Sequence, residues 1–208
     1  MAKRVRKKTK AELSDPAFRN RALSRSEVLT QSYAECERLS KARHQFILDV
    51  ANYEWMYRFP HRDDEQAMAK EERKWDRLLR DFVKTANKPQ EIHCFTCSYD
   101  ASRGMKPLVQ LVKNAFCDAG TALRLFWLND PVYYSQYNSI TECPISEEQD
   151  AMRLLLAIKR RFKRNDFSSR RVFFDPAPWI SADDVDLRVL DLPDSMLTAV
   201  SKPKKTVG

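Results

Sequence analysis

The sequence predicts an α+β protein, a helical hairpin over residues 26–88 followed by a ferredoxin-like βαββαβ domain over residues 89–180. Three observations predict it. Helical apolar periodicity runs from Ser26 to Phe82. Beyond Pro89, short aromatic and aliphatic runs alternate with helical stretches in the order strand, helix, strand, strand, helix, strand. The second and third strands are joined by Asn129-Asp130-Pro131, a turn short enough for a hairpin. The same order of elements also fits a flavodoxin-like three-layer α/β sheet, the alternative architecture.

Residues 1–25 have no sustained apolar period, include Pro16, and read as a basic disordered arm. The first hairpin helix carries Cys36, Leu39, Phe46, Val50, Tyr53 and Tyr57 on one stripe and stops at Phe59-Pro60-His61. Asp63 with Gln66 forms a capping box for the second helix, lined by Met68, Trp75, Leu78, Leu79 and Phe82 and ending before Lys88-Pro89. EIHCFTCSY (91–99) reads as the first strand. The helix expected over 106–119 has Pro107 in its first turn and Gly120 as its stop. ALRLFWL (122–128) and VYYSQYNSI (132–140) follow as strands. Ser146-Glu147-Glu148-Gln149 opens a helix to about Arg164, and RRVFFD (170–175) is the last strand. Residues 181–208 form an acidic, then basic, tail.

Composition excludes several chemistries. The only glycines are Gly104, Gly120 and Gly208, so neither GxGxxG nor GxxxxGK[ST] can be written, and a Rossmann fingerprint and a P-loop are out. His44, His61 and His93 are too dispersed for HExxH. No apolar run is long enough to span a bilayer, and the N-terminus lacks the apolar stretch of a secretory signal. Five cysteines fit a reducing compartment. A cytoplasmic location is expected, or a nucleoid or nuclear one if the basic arm is an address.

Net charge is +8, and residues 1–30 hold nine Lys or Arg against three acids. Lys3, Arg4, Arg6, Lys7, Lys8 and Lys10 form the first basic block. Lys159, Arg160, Lys163 and Arg164 form a ridge on the second long helix, with Arg170 and Arg171 close behind. Residues 181–196 oppose them with five Asp and one Arg. Clustered cations favour polyanions, because each neutralised phosphate releases counterions. These twelve residues are the expected nucleic-acid contacts, directed at backbone rather than bases.

Two further functions compete with this one. Tyr53, Tyr57 and Trp75 on the hairpin suit a protein-interaction module, such as an inhibitor or assembly factor, or self-association. Asp100, Asp130 and Asp175 follow strand ends and suit a Mg²⁺-dependent nuclease, although the ferredoxin-like topology puts only Asp100 and Asp130 at one edge. Aspartates there are also ordinary turn residues. Cys94, Cys97, Cys117, Cys143 and His93 offer zinc-type donors, but in a strand Cys94 and Cys97 point to opposite faces. Structural cysteines are therefore expected, with no metal, no cofactor and no enzymatic activity. The aromatics of the first and third strands fit a packed face better than an RNA-stacking one.

The run IHCFTCSYD, the helix after it and LRLFWLND together resemble the opening strand–helix–strand of TIR-type signalling domains. The resemblance covers residues 92–130, places no catalytic glutamate, and is not taken as membership of that family.

Overall fold

The computed structural model describes residues 22–182 and 187–201. These residues are helical, with no β-strand among them and one antiparallel bridge, Phe174 to Val200. The α+β expectation, in both its ferredoxin-like and flavodoxin-like forms, is therefore overturned. The resemblance to TIR-type domains falls with it.

The hairpin region is helical as expected but more broken. Helix α1 (Arg25–Tyr33) starts at Ser24, whose hydroxyl accepts the Glu27 N–H while Glu27 reaches back to the Ser24 N–H at 3.0 Å. A 3-10 turn (Cys36–Arg38) leads to α2 (Lys41–Asn52), which ends with Tyr53 in the left-handed region at φ 63°. The single turn α3 (Trp55–Arg58) precedes α4 (Glu65–Thr85). Asp64, not Asp63, caps α4, accepting from the Gln66 and Ala67 N–H groups at 3.0 Å each.

The four segments read as strands after residue 89 are helices or irregular chain. EIHCFTCSY lies in α5 (Pro89–Ser98), with Pro89 in the first turn, where its missing N–H is harmless. Residues 91–96 of α5 are all buried. After a 3-10 turn (Ala101–Arg103), α6 (Lys106–Lys113) is shorter than expected and stops at Asn114. ALRLFWL lies in α7 (Ala119–Leu128), which is also buried nearly all round. Helices enclosed on every side need no polar face, so their sequences lose the 3.6-residue alternation that marks an amphipathic helix. VYYSQYNSI becomes the one-turn α8 (Pro131–Tyr134) and a loop.

Helix α9 (Ser146–Arg164) has the expected span and ends at Asn165 in the left-handed region. Ser146 does not cap it; Ile145 occupies the cap position without a side-chain bond. RRVFFD is extended through its single bridge, and short helices α10 (Ala177–Ala182) and α11 (Leu187–Leu190) follow. Leu190, Met196 and Val200 are buried, so the described part of the tail docks against the body.

Helix α5 packs on α2 and α7, while α9 packs on α6 and α7. Phe82 of α4 stacks on Phe95 at 5.0 Å, and Phe95 on Tyr99 at 5.2 Å, so the hairpin shares its core with the helices after it. Gly120 is not a helix stop. It lies in the first turn of α7, where an added Cβ would stand 2.0 Å from the Val172 carbonyl oxygen. The buried Asp118 carboxylate holds that approach, accepting from the N–H groups of Gly120 at 2.8 Å and Arg171 at 2.7 Å.

Candidate functional site

The most extended charged feature is the outer face of α4. Lys70, Arg73, Arg77, Arg80 and Lys84 recur at steps of three and four, which keeps them on one side of a helix. All five are exposed, and none has an ion pair or side-chain hydrogen bond among the described residues. At 1.5 Å per residue the row is about 21 Å long. It lies opposite the apolar side formed by Trp75, Leu79 and Phe82, which faces the core.

Two of the acids on this helix are paired within the fold. Asp76 lines the same shallow depression as Lys70, Arg73, Arg77 and Arg80. Its carboxylate pairs with Arg103 at 3.0 Å and accepts from the Tyr53 hydroxyl. Glu71 accepts from Trp75 Nε1 at 3.2 Å and pairs with Lys74. Asp81 flanks the row, exposed. Residues 65–85 contain six basic and five acidic side chains, so counting charge along the sequence hides the separation of faces. Helical spacing was the available signal.

Of the residues expected to contact nucleic acid, Lys3, Arg4, Arg6, Lys7, Lys8 and Lys10 lie outside the described residues. The ridge on α9 is partly neutralised. Lys163 Nζ donates to Asp191 Oδ2 at 2.7 Å, Lys159 Nζ approaches the same oxygen at 3.1 Å, and Lys159 also donates to the Leu190 carbonyl. The two lysines together hold the Asp191 carboxyl below its usual range. Arg160, Arg164 and the Arg171 side chain are exposed without ion pairs among the described residues. Arg170 donates to Asn165 Oδ1. Arg161 between them is structural: it donates to the carbonyls of Val112 and Asn114 and pairs with Asp166 at 2.6 Å.

The hairpin aromatics do not form one surface. Trp75 stacks on Trp55 at 5.9 Å, the Tyr53 ring lies under the Arg103 guanidinium, and Tyr57 alone of the three is well exposed, at 78%. The aspartates of the nuclease reading are local caps. Asp100 accepts from the Ser102 N–H, Asp130 from Tyr133, and Asp175 from Ala177.

A second cluster is buried. Because residues 91–98 are helical, Cys94 and Cys97 lie on one side of α5, and the strand geometry that separated them does not apply. The Cys36 and Cys97 sulfurs and a His93 ring nitrogen all lie within 4.8 Å of one another. His93 Nδ1 is 2.9 Å from Thr121 Oγ1, and Nε2 is 2.9 Å from the Ser32 carbonyl. Hydrogen bonding to Cys94, with burial, pushes the Cys36 thiol up to about 12; hydrogen bonding to Cys36, with burial, does the same to Cys97. Cys36 was not among the sequence candidates, being 58 residues from Cys94.

Residues 87–163 match the model of a family described as a domain of unknown function (DUF4274). That span runs from the start of α5 to the end of α9 and excludes the basic row on α4. No curated protein and no solved structure matches the chain. No helix among the described residues is long and apolar enough to cross a membrane.

Proposed function

We propose that this chain is a nucleic-acid-associated binding protein that grips the phosphate backbone through the outer face of α4. The single observation that carries this reading is the row Lys70, Arg73, Arg77, Arg80 and Lys84, exposed and with no ion pair among the described residues. Of the five acids on this helix, Glu71 and Asp76 are paired with Lys74 and Arg103, Glu65 and Glu72 lie off the row, and Asp81 flanks it. Arginine guanidinium groups suit phosphate because two parallel N–H groups match two oxygens.

Helix α4 presents only this face, because its other side is packed. It therefore lies across phosphates rather than entering a groove to read base edges, and the reading is one of backbone binding. Arg160, Arg164, Arg170 and Arg171 form a second, smaller set of contacts, and the basic segment before residue 22 adds to both. An intracellular location, in the cytoplasm or with the nucleic acid itself, goes with this reading, as do five free cysteines.

Binding of labelled duplex and single-stranded nucleic acid by the full chain at low salt, followed by fluorescence anisotropy, tests the proposal. Saturable binding that weakens when Arg73, Arg77 and Arg80 are changed to Gln is the expected result. No binding at low salt sinks it.

A further inference from the structure

The buried cluster around α5 has no part in phosphate binding, and its donor set is chemically specific. Cys36 begins the 3-10 turn after α1; His93, Cys94 and Cys97 come from successive turns of α5. Residues 93 and 97 are four apart, so α5 turns both towards Cys36. Cys36, His93 and Cys94 are fully buried.

The spacings of Cys36, His93 and Cys97, whose donor atoms lie within 4.8 Å of one another, suit a bound zinc ion. Ligands on a tetrahedral zinc, with Zn–S about 2.3 Å and Zn–N about 2.0 Å, stand about 3.5 Å apart when one is sulfur and the other nitrogen. The Cys97 sulfur is 3.4 Å from His93 Nε2. Cys94 neighbours them on α5 but its sulfur falls outside this group of three. We propose that Cys36, His93 and Cys97 form a zinc site that ties the Cys36–Arg38 turn to α5. Three protein donors leave one tetrahedral position for a further ligand.

The surroundings supply what such a site needs beyond its ligands. Thr121 Oγ1 stands 2.9 Å from His93 Nδ1. With the proton on Nδ1 donated to Thr121, the Nε2 lone pair is free to bind an ion, 3.4 Å from the Cys97 sulfur. Zinc-binding histidines are commonly fixed in this way through their other ring nitrogen. Metal entry exchanges the Nε2–H bond to the Ser32 carbonyl for coordination, and the Thr121 contact reverses direction. Two thiolates and a neutral imidazole around Zn²⁺ are net neutral. Arg124 is the cation whose field reaches both Cys36 and Cys97, and its buried Nε has no hydrogen-bond partner.

The test uses the reduced full-length chain with Co²⁺ as a spectroscopic probe and Zn²⁺ as competitor. One equivalent of Co²⁺ is expected to give a thiolate-to-metal charge-transfer band, and one equivalent of Zn²⁺ to abolish it. Cys36→Ser and Cys97→Ser lose the band, whereas Cys143→Ser, away from the cluster, keeps it. Thr121→Val, close in shape, weakens Zn²⁺ binding about 10–100-fold. A folded, reduced wild-type chain that gives no band overturns the proposal without reliance on any variant. So does a band that survives in both Cys36→Ser and Cys97→Ser.

Discussion

Lys163 Nζ donates to Asp191 Oδ2 at 2.7 Å across 28 residues of sequence. That contact, shared with Lys159, withdraws two cations from the ridge on α9. Asp191→Asn frees both. If the ridge takes part in phosphate binding, this variant binds nucleic acid more tightly than wild type. Its log-affinity against log-salt plot steepens by up to about 2. An unchanged slope assigns Asp191 a role in docking the tail alone.

Gly120→Ala is expected to destabilise the fold, although alanine is the better helix former by about 1 kcal/mol. The added methyl meets the Val172 carbonyl at 2.0 Å, and backbone must move to admit it. A loss of about 2 kcal/mol in urea denaturation fits the cost of overpacking.

Glu91 gives stability a specific acid dependence. Burial alone raises its carboxyl, but Arg43 at 2.6 Å and Lys88 at 3.2 Å outweigh burial and hold it below the ordinary 4.5. A lowered folded value means the stabilisation is complete above the ordinary carboxylate range. It is lost as pH falls through the folded value. Urea midpoints of the wild type are therefore expected to fall more steeply below pH 4.5 than those of Glu91→Gln.

Arg161 and Arg160 are adjacent yet should respond differently. Arg161→Met leaves the Val112 and Asn114 carbonyls without their donor and Asp166 without its cation, at a cost of about 3 kcal/mol. Arg160→Met changes an exposed side chain and should stay within about 0.5 kcal/mol. Thermal or urea unfolding of the two variants side by side checks the contrast.

The legible parts of the sequence were those with one wet and one dry face. Helices α4 and α9 announce themselves through amphipathic spacing, and the span of α9 agrees with its sequence pattern. Helices α5 and α7 do not, because their surroundings are apolar on all sides; Cys94, Phe95 and Thr96, consecutive in sequence, are all buried. Short runs of aromatic and branched residues then look like strands, and Pro89 in the first turn was the local signal for a helix. That one misassignment propagated to the cysteines, since the separation of Cys94 from Cys97 depended on strand geometry. Tail docking through Leu190 and Met196 rests on long-range contacts such as Trp127 Nε1 to the Met196 carbonyl at 3.3 Å, which no local pattern records.

The central claim concerns the cations of α4, and the salt dependence of binding tests it most directly. Affinity of the full chain for one duplex is measured across a salt series, for wild type and for Arg73, Arg77 and Arg80 all changed to Gln. Three lost phosphate contacts should reduce the log–log slope by about 2.7, with the helical signal unchanged. A slope identical in the two proteins contradicts the account.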